Sequence, residues 1–140
     1  MDSRQIRLVQ DSFAQVTSMA GQAADLFYAR LFQVEPSLRG MFSGDMREQK
    51  HKLMTMLTIA VNGLTRPEEL LPVVQELGRR HVRYGVEERH YDTVGAALLW
   101  TLEKGLGERF TPEVKAAWLA VYTLLATTMQ QAAAEVVVTQ

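Results

Sequence analysis

Four apolar stripes at helical spacing each include one polar side chain that could do chemistry: His81, Gln49, Tyr28 and Tyr91. Spacings of three and four residues place each of them on the face that its helix should bury. An imidazole can bind a metal or carry a proton. A phenol and an amide can donate hydrogen bonds to a ligand. The pattern therefore predicts four polar groups inside an otherwise apolar interior.

Each of these groups needs a partner, because burying a polar group without one costs about 1–3 kcal/mol. The structural alternative is four separate core residues, each satisfied by a nearby carbonyl oxygen or by water. For any one of the four, that is the commoner role. Periodicity alone leaves both interpretations open.

The other candidate ligands reduce the kinds of site that His81 could form. His51 lies about 200° round the helix from Gln49 and should face away from the interior. His90, near a helix start, is expected to be solvated. The chain has no cysteine, so a zinc site made by protein side chains alone lacks ligands, and no paired carboxylates share an apolar face. The remaining chemical use of one buried histidine is as an axial ligand to a metal held by a macrocycle, as in haem.

The composition is that of a globular domain rather than a nucleic-acid or membrane protein. Hydrophobic residues make up 47% of the 140 residues, and the net charge is −1. A chain this close to neutral has little electrostatic attraction for nucleic acid or anionic lipid. Its start lacks a signal-peptide core and no run is long enough to span a membrane. We expect one domain, residues 1–140, in the cytoplasm.

Nearly every segment of the chain has a helical period, which predicts an all-α domain of about six helices. Pro36 should end the second helix, Thr65 and Glu68 form a capping-box pattern, and Thr111 should cap the last helix. The tail beyond Gln131 loses the pattern and is expected to fray. The predicted helices span 4–19, 22–35, 46–62, 65–83, 88–105 and 111–131.

Four stretches, LFYARLFQVEPSLRGMF, QKHKLM, LGRRHVRYGVEERHYDTVG and AAWLAVY, resemble the globin family. The likeness is to single-domain bacterial haemoglobins and to the haem domain of flavohaemoglobins, and it covers most of the chain in the expected order. It implies the globin fold, a three-on-three helical sandwich around a haem. The cofactor implied is haem b, iron protoporphyrin IX.

The resemblance also assigns roles to individual residues. His81 would be the proximal iron ligand, and Tyr28 and Gln49 would face oxygen on the distal side, with Leu53 closing over it. Tyr91 would lie behind the proximal histidine. The haem-binding residues implied are His81, Phe42, Leu53, Leu77, Val86, Tyr91, Val94 and Val121.

Two further features bear on the haem surroundings. Flavohaemoglobins carry a glutamate on the last helix that strengthens the proximal histidine as a ligand, but that position here is Ala133, with Glu135 two residues further on. Arg80, Arg83 and Lys52 could meet the haem propionates, although cations beside a buried stripe are commonly solvated flanks.

Three functions are consistent with these residues. The first is reversible oxygen binding on a five-coordinate ferrous iron, held tightly by Tyr28 and Gln49. The second is nitric oxide dioxygenation with an external reductase, since 140 residues leave no room for a reductase domain. The third is a cofactor-free helical interaction domain. The expected partners are oxygen, nitric oxide and a reductase, with no nucleic acid or membrane, and the expected state is a monomer or weak homodimer.

Overall fold

The computed structural model describes residues 2–42 and 44–139, with side chains as far as Glu135. Every regular element in those ranges is helical, which confirms the predicted all-α class. Three short 3-10 helices, Pro36–Met41, Gly63–Thr65 and Gly107–Arg109, occupy connections between the α-helices. The α-helices are α1 (Ser3–Thr17), α2 (Ala20–Val34), α3 (Met46–Asn62), α4 (Pro67–Arg83), α5 (Glu88–Leu106) and α6 (Pro112–Thr139).

Local side-chain interactions explain where several helices begin and end. The Asp2 carboxylate accepts the Gln5 backbone N–H at 2.8 Å, which caps α1. Helix α2 ends at Val34, just before Pro36, as predicted. Thr111 Oγ1 accepts the Val114 backbone N–H at 3.2 Å, so the predicted cap of the last helix is confirmed.

Two predicted helix ends are wrong. Thr65 does not cap α4, because it belongs to the 3-10 helix Gly63–Thr65, and α4 begins at Pro67 after Arg66, which provides no side-chain cap. Helix α6 continues to Thr139 instead of stopping near Gln131. Three successive alanines at 132–134 favour this extension, since alanine has the highest helix propensity.

The core ties the first helix to the last through a buried tryptophan. Trp118 on α6 is almost fully enclosed, and its ring packs against Phe13 of α1 with centroids 6.0 Å apart. Its indole Nε1 donates to Ser12 Oγ at 2.8 Å, and that hydroxyl donates to the Leu8 carbonyl at 2.7 Å. Each polar atom of this chain of hydrogen bonds is satisfied, so its burial carries little penalty.

Helices α4 and α6 approach each other until backbone meets backbone at Gly78. A Cβ atom at this glycine would lie 2.3 Å from the Met129 carbonyl oxygen and 2.6 Å from Met129 Cα. No side chain other than hydrogen fits between them. The contact fixes the position of α4 one turn before His81.

We expect Gly78→Ala to destabilise the fold by about 1–3 kcal/mol, because backbone atoms must move to accommodate the methyl group. Denaturant unfolding followed by circular dichroism measures the change. Gly21→Ala is the control, since a Cβ there has nothing within 4 Å, and it should leave stability unchanged or slightly raised. Equal stabilities for the two variants would contradict the proposed close contact.

Candidate functional site

A cavity of about 250 Å³ lies among α2, α3, α4, α5 and α6. Its walls are almost entirely apolar or aromatic. Eight of the residues picked out from the sequence line it: Phe42, Leu53, Leu77, His81, Val86, Tyr91, Val94 and Val121. The chain therefore folds so that one large apolar space includes the side chain of His81.

His81 lies in the last turn of α4, and its ring orientation is set by the helix itself. Nδ1 is 2.8 Å from the Leu77 carbonyl oxygen, one turn earlier. A carbonyl can only accept, so Nδ1 carries the proton and Nε2 keeps its lone pair. Burial lowers the pKa of His81, although the Leu77 hydrogen bond acts in the opposite direction. The imidazole is thus a neutral ligand in the form that metals bind.

Helix α4 ends at Arg83, two residues after His81, and a turn follows. The Val86 backbone N–H donates to the His81 carbonyl at 3.0 Å, and Gly85 has a φ of 86°. This is the left-handed conformation that commonly ends helices and that glycine adopts without strain. The turn brings Val86 to the cavity wall.

Tyr28 and Gln49 lie outside the lining of the cavity. The Tyr28 ring packs edge-on against Phe27 and Phe42, which do line it, at centroid distances of 5.1 and 5.5 Å. Burial raises the pKa of Tyr28 to about 12, so its hydroxyl keeps its proton at neutral pH. No described residue serves as a hydrogen-bond partner for that hydroxyl.

Gln49 is half-buried on α3, one turn before Leu53. Its side-chain amide makes no hydrogen bond within the described ranges. An ion pair at 2.8 Å between Lys50 and Asp25 joins α3 to α2 beside Gln49 and Tyr28. The two donors are available, and their predicted role towards oxygen stays a prediction.

His90 is buried, so the expectation that it is solvated is wrong. The ring is 3% exposed and lines the cavity. Its Nδ1 accepts the Glu87 backbone N–H at 2.8 Å, which turns the imidazole inwards. Nε2 lies 3.2 Å from Glu35 Oε2 without the alignment of a hydrogen bond. The spacing Glu87-x-x-His90 is that of a capping pair, and it was the available signal for this arrangement.

The Glu35 carboxylate gathers three side chains from the start of α5. It accepts from Arg89 Nη1 at 3.1 Å and from Thr93 Oγ1 at 3.2 Å, beside His90. The cluster joins the end of α2 to α5 at one edge of the cavity. Its role in the fold is to hold these two helices together.

Helix α6 contributes further lining residues to which the sequence assigned no place in the haem pocket: Trp118, Tyr122, Leu125, Ala126 and Met129. Trp118 and Leu125 share with Val121 the apolar spacing of that helix, which is the signal that could have identified them. The Tyr122 hydroxyl donates to the Tyr91 carbonyl, and burial raises its pKa. This bond connects α6 to the α5 residue that was predicted to lie behind the proximal histidine.

Three cations were predicted as possible partners of the haem propionates, and two of them form ion pairs with glutamates of their own helices. Arg80 lies 3.7 Å from Glu76 and Lys52 lies 3.6 Å from Glu48, both as exposed ion pairs. Arg83 is exposed and has no ion-pair partner in the described part of the chain.

A membrane-spanning helix must be long and apolar over its whole length, and none of the described helices meets both conditions.

A family model described as globin matches residues 25–129. The chain belongs to the globin family. Among curated proteins, this globin is 33% identical over 130 residues to a flavohemoprotein of Bordetella parapertussis and 25% identical over 129 residues to one of Bacillus subtilis. Each match covers 90% of the globin but 32% of the relative, so the chain spans about a third of the length of these proteins.

Solved structures with low sequence identity have the same fold. An engineered carbene transferase and candidate nitric oxide dioxygenase from Rhodothermus marinus has a TM-score of 0.88 at 24% identity, covering 99% of the globin and 97% of the other chain. A hexacoordinated haem protein from an anhydrobiotic tardigrade has a TM-score of 0.86 at 15% identity, covering 95% of each chain. The predicted three-on-three globin sandwich is confirmed.

We expect Glu35→Ala to lower the free energy of unfolding by about 1–3 kcal/mol, because the change leaves buried His90 without its charged neighbour and removes two hydrogen bonds. Denaturant unfolding checks this. Arg4→Ala, which breaks the exposed pair of Arg4 with Glu113, should change stability by less than about 1 kcal/mol. A loss at Glu35 no larger than that at Arg4 would show that the cluster is only a surface feature.

Proposed function

We propose that this globin holds haem b in the main cavity and binds oxygen reversibly, with His81 as the axial ligand. The observation that carries the proposal is the imidazole on an apolar wall with its Nδ1 bound to the Leu77 carbonyl. That bond leaves Nε2 as the nitrogen that can coordinate. Membership of the globin family supports the same cofactor.

The cavity residues fit a porphyrin. The flat, apolar macrocycle requires apolar and aromatic walls, which Phe42, Leu77, Val94 and their neighbours provide. Haem iron supplies a coordination position for small diatomic gases. His81 would hold that iron from the α4 side, and the Leu77 carbonyl would keep the imidazole from rotating.

Tyr28 and Gln49 would act as hydrogen-bond donors to the bound gas. Tyr28 keeps its proton because burial raises its pKa to about 12, and Gln49 offers N–H donors. Donors in a water-poor pocket interact more strongly with a partly charged ligand than they would in water. Gln49 is also a poor iron ligand, so it would leave the sixth position open. The predicted result is tight oxygen binding on a five-coordinate iron.

Nitric oxide dioxygenation is the second candidate. It is favoured by the similarity to flavohemoproteins and to the Rhodothermus marinus structure. The tight oxygen binding proposed for Tyr28 and Gln49 would serve this reaction as well, and electrons would have to come from a reductase outside these 140 residues. Sustained nitric oxide consumption with a cellular reductase, rather than a single turnover, would favour the enzyme.

We propose the same setting for either function: a cytoplasmic monomer or weak homodimer, with gases and a reductase as partners. A chain of net charge −1 has little attraction for nucleic acid or anionic lipid, which is consistent with the absence of both from this set of partners.

We expect His81→Ala to abolish stable haem retention. His90, the other imidazole among the described lining residues, accepts the Glu87 N–H with Nδ1 and has its Nε2 beside Glu35, so it does not replace His81. Absorbance in the Soret region, relative to protein, measures bound haem. His51→Ala is the control, since His51 is exposed on α3 and should retain haem normally. A colourless wild-type protein would instead support a cofactor-free interaction domain.

We expect Tyr28→Phe to speed oxygen dissociation about tenfold or more, since a hydrogen bond worth about 1.4 kcal/mol corresponds to a factor of ten. Stopped-flow displacement of oxygen by carbon monoxide measures the rate. Tyr84→Phe is the matched control, because the Tyr84 side chain is 62% exposed. An unchanged rate in Tyr28→Phe would mean that its hydroxyl does not reach the bound gas.

A further inference from the structure

Three aromatic rings contact one another beside the main cavity: Tyr28 and Phe32 of α2, and Phe42, which follows the 3-10 helix Pro36–Met41. The ring centroids are 5.8 Å apart for Tyr28 and Phe32, 5.5 Å for Tyr28 and Phe42, and 5.6 Å for Phe32 and Phe42. We call these three residues the aromatic triangle. Rings at such distances attract one another in tilted and edge-on arrangements, so Tyr28 is held by two rings that also hold each other.

Phe32 differs from Phe42 in its relation to the main cavity. Phe42 lines that cavity, whereas Phe32 is half-buried and is not among the described lining residues. Phe32 lies four residues after Tyr28, a spacing that makes two side chains neighbours on a helix. Its ring is inclined by 34° to that of Tyr28, whereas the Phe42 ring stands at 82° to it. Phe32 therefore contacts Tyr28 from within α2 without lining the space that the gas would occupy.

The direction of the Tyr28 hydroxyl depends on the packing of its ring. That hydroxyl has no hydrogen-bond partner among the described residues, so no polar contact of the protein fixes it. An aromatic side chain on a helix has two common χ1 rotamers, and the neighbouring rings decide between them. Removing one of these rings would make room for another orientation of Tyr28.

Phe32 is itself held by a charged side chain. The guanidinium carbon of Arg39 lies 5.5 Å from the centroid of the Phe32 ring. Arg39 is exposed on the 3-10 helix Pro36–Met41, and a cation at this distance is attracted to the face of an aromatic ring. Phe32 is thus fixed by Arg39 as well as by the two other rings of the triangle.

We propose that Phe32 is a positioning residue that sets oxygen affinity through Tyr28. It keeps the Tyr28 ring in the orientation from which the hydroxyl donates to the bound gas, and it does not touch the gas itself. Hydrogen bonds weaken steeply as the donor moves out of line with the acceptor, so a modest rotation of the ring is enough to lose this one. The effect on the gas rests on the proposed function, while the effect on the Tyr28 orientation follows from the aromatic triangle alone.

The orientation of Tyr28 is tested by crystal structures of the haem-loaded wild type and three variants. Phe32→Leu keeps an apolar side chain but removes the ring, and we expect Tyr28 to occupy a second orientation to about 10% or more. Phe32→Tyr keeps the ring and should retain the wild-type orientation. Phe110→Leu is the matched control, because Phe110 is also half-buried but has no ring contact in the described part of the chain. A single, unchanged orientation of Tyr28 in Phe32→Leu would overturn the proposal.

The hydrogen bond to the gas is tested by infrared spectroscopy of the carbon monoxide complex. A donor near the bound gas lowers the C–O stretching frequency, so Tyr28→Phe identifies the band of the complex without this hydrogen bond. We expect Phe32→Leu to show that band beside a weakened wild-type band. Phe32→Tyr and Phe110→Leu should keep the wild-type spectrum. A wild-type spectrum in Phe32→Leu would count against positioning, since a general loss of stability does not select this band.

Oxygen dissociation in a double variant tests whether Phe32 acts through Tyr28. Phe32→Leu should speed dissociation by about threefold or more, but by less than Tyr28→Phe does. In the Tyr28→Phe background the same change should have no effect, because the group that it positions is gone. Equal acceleration in both backgrounds would overturn the proposal.

Failure of the proposed function has a different signature. If Tyr28→Phe alone changes neither the carbon monoxide band nor the dissociation rate, Tyr28 is not a donor to the gas, and any effect of Phe32 on affinity through it is excluded as well. The crystal structures then still decide whether Phe32 orients the Tyr28 ring. Haem content, read from absorbance on the same samples, reports separately on the cofactor.

Discussion

The hydrogen bond between His81 Nδ1 and the Leu77 carbonyl is the constraint on which the site depends. It lies within one helix, so the fold of α4 alone decides which imidazole nitrogen is free. Helix α4 ends at Arg83, and Gly85, with a φ of 86°, lies in the turn that brings Val86 to the cavity wall. Ligand chemistry and helix termination are therefore set in the same few residues.

The buried and half-buried polar groups divide into two sets. Ser12, Thr101 and Tyr122 have partners in the protein, so their presence in the interior is explained by the fold. Nε2 of His81 and the side-chain donors of Tyr28 and Gln49 have no partner among the described residues. The fully buried side-chain atom without a hydrogen bond there is a different one, His90 Nε2, which faces Glu35. The unpartnered groups of His81, Tyr28 and Gln49 are free to meet a ligand, and this supports the proposed haem site.

Much of this structure could be predicted from spacing, and the exceptions have physical causes. The stripe that places His81 on the buried face of α4 is a local property of one helix, and so it was read correctly. The burial of His90 depends on its bond to the Glu87 N–H and on Glu35, 55 residues earlier, which is a tertiary contact that periodicity does not report. The predicted capping box of Thr65 and Glu68 is wrong because Thr65 belongs to the 3-10 helix that precedes α4. Tyr28 lies outside the cavity lining, with its ring packed against Phe27 and Phe42, and the contact with Phe42, which lies outside α2, is not visible in the spacing of one helix.

The backbone contact at Gly78 limits how α4 can move towards α6. No side chain separates the two backbones there, so a shift of α4 in that direction would meet the backbone of Met129. His81 lies one turn further along the same helix. If it holds iron as proposed, this contact opposes its displacement towards α6, whereas the side chains of the cavity wall can vary without disturbing the packing of the two helices.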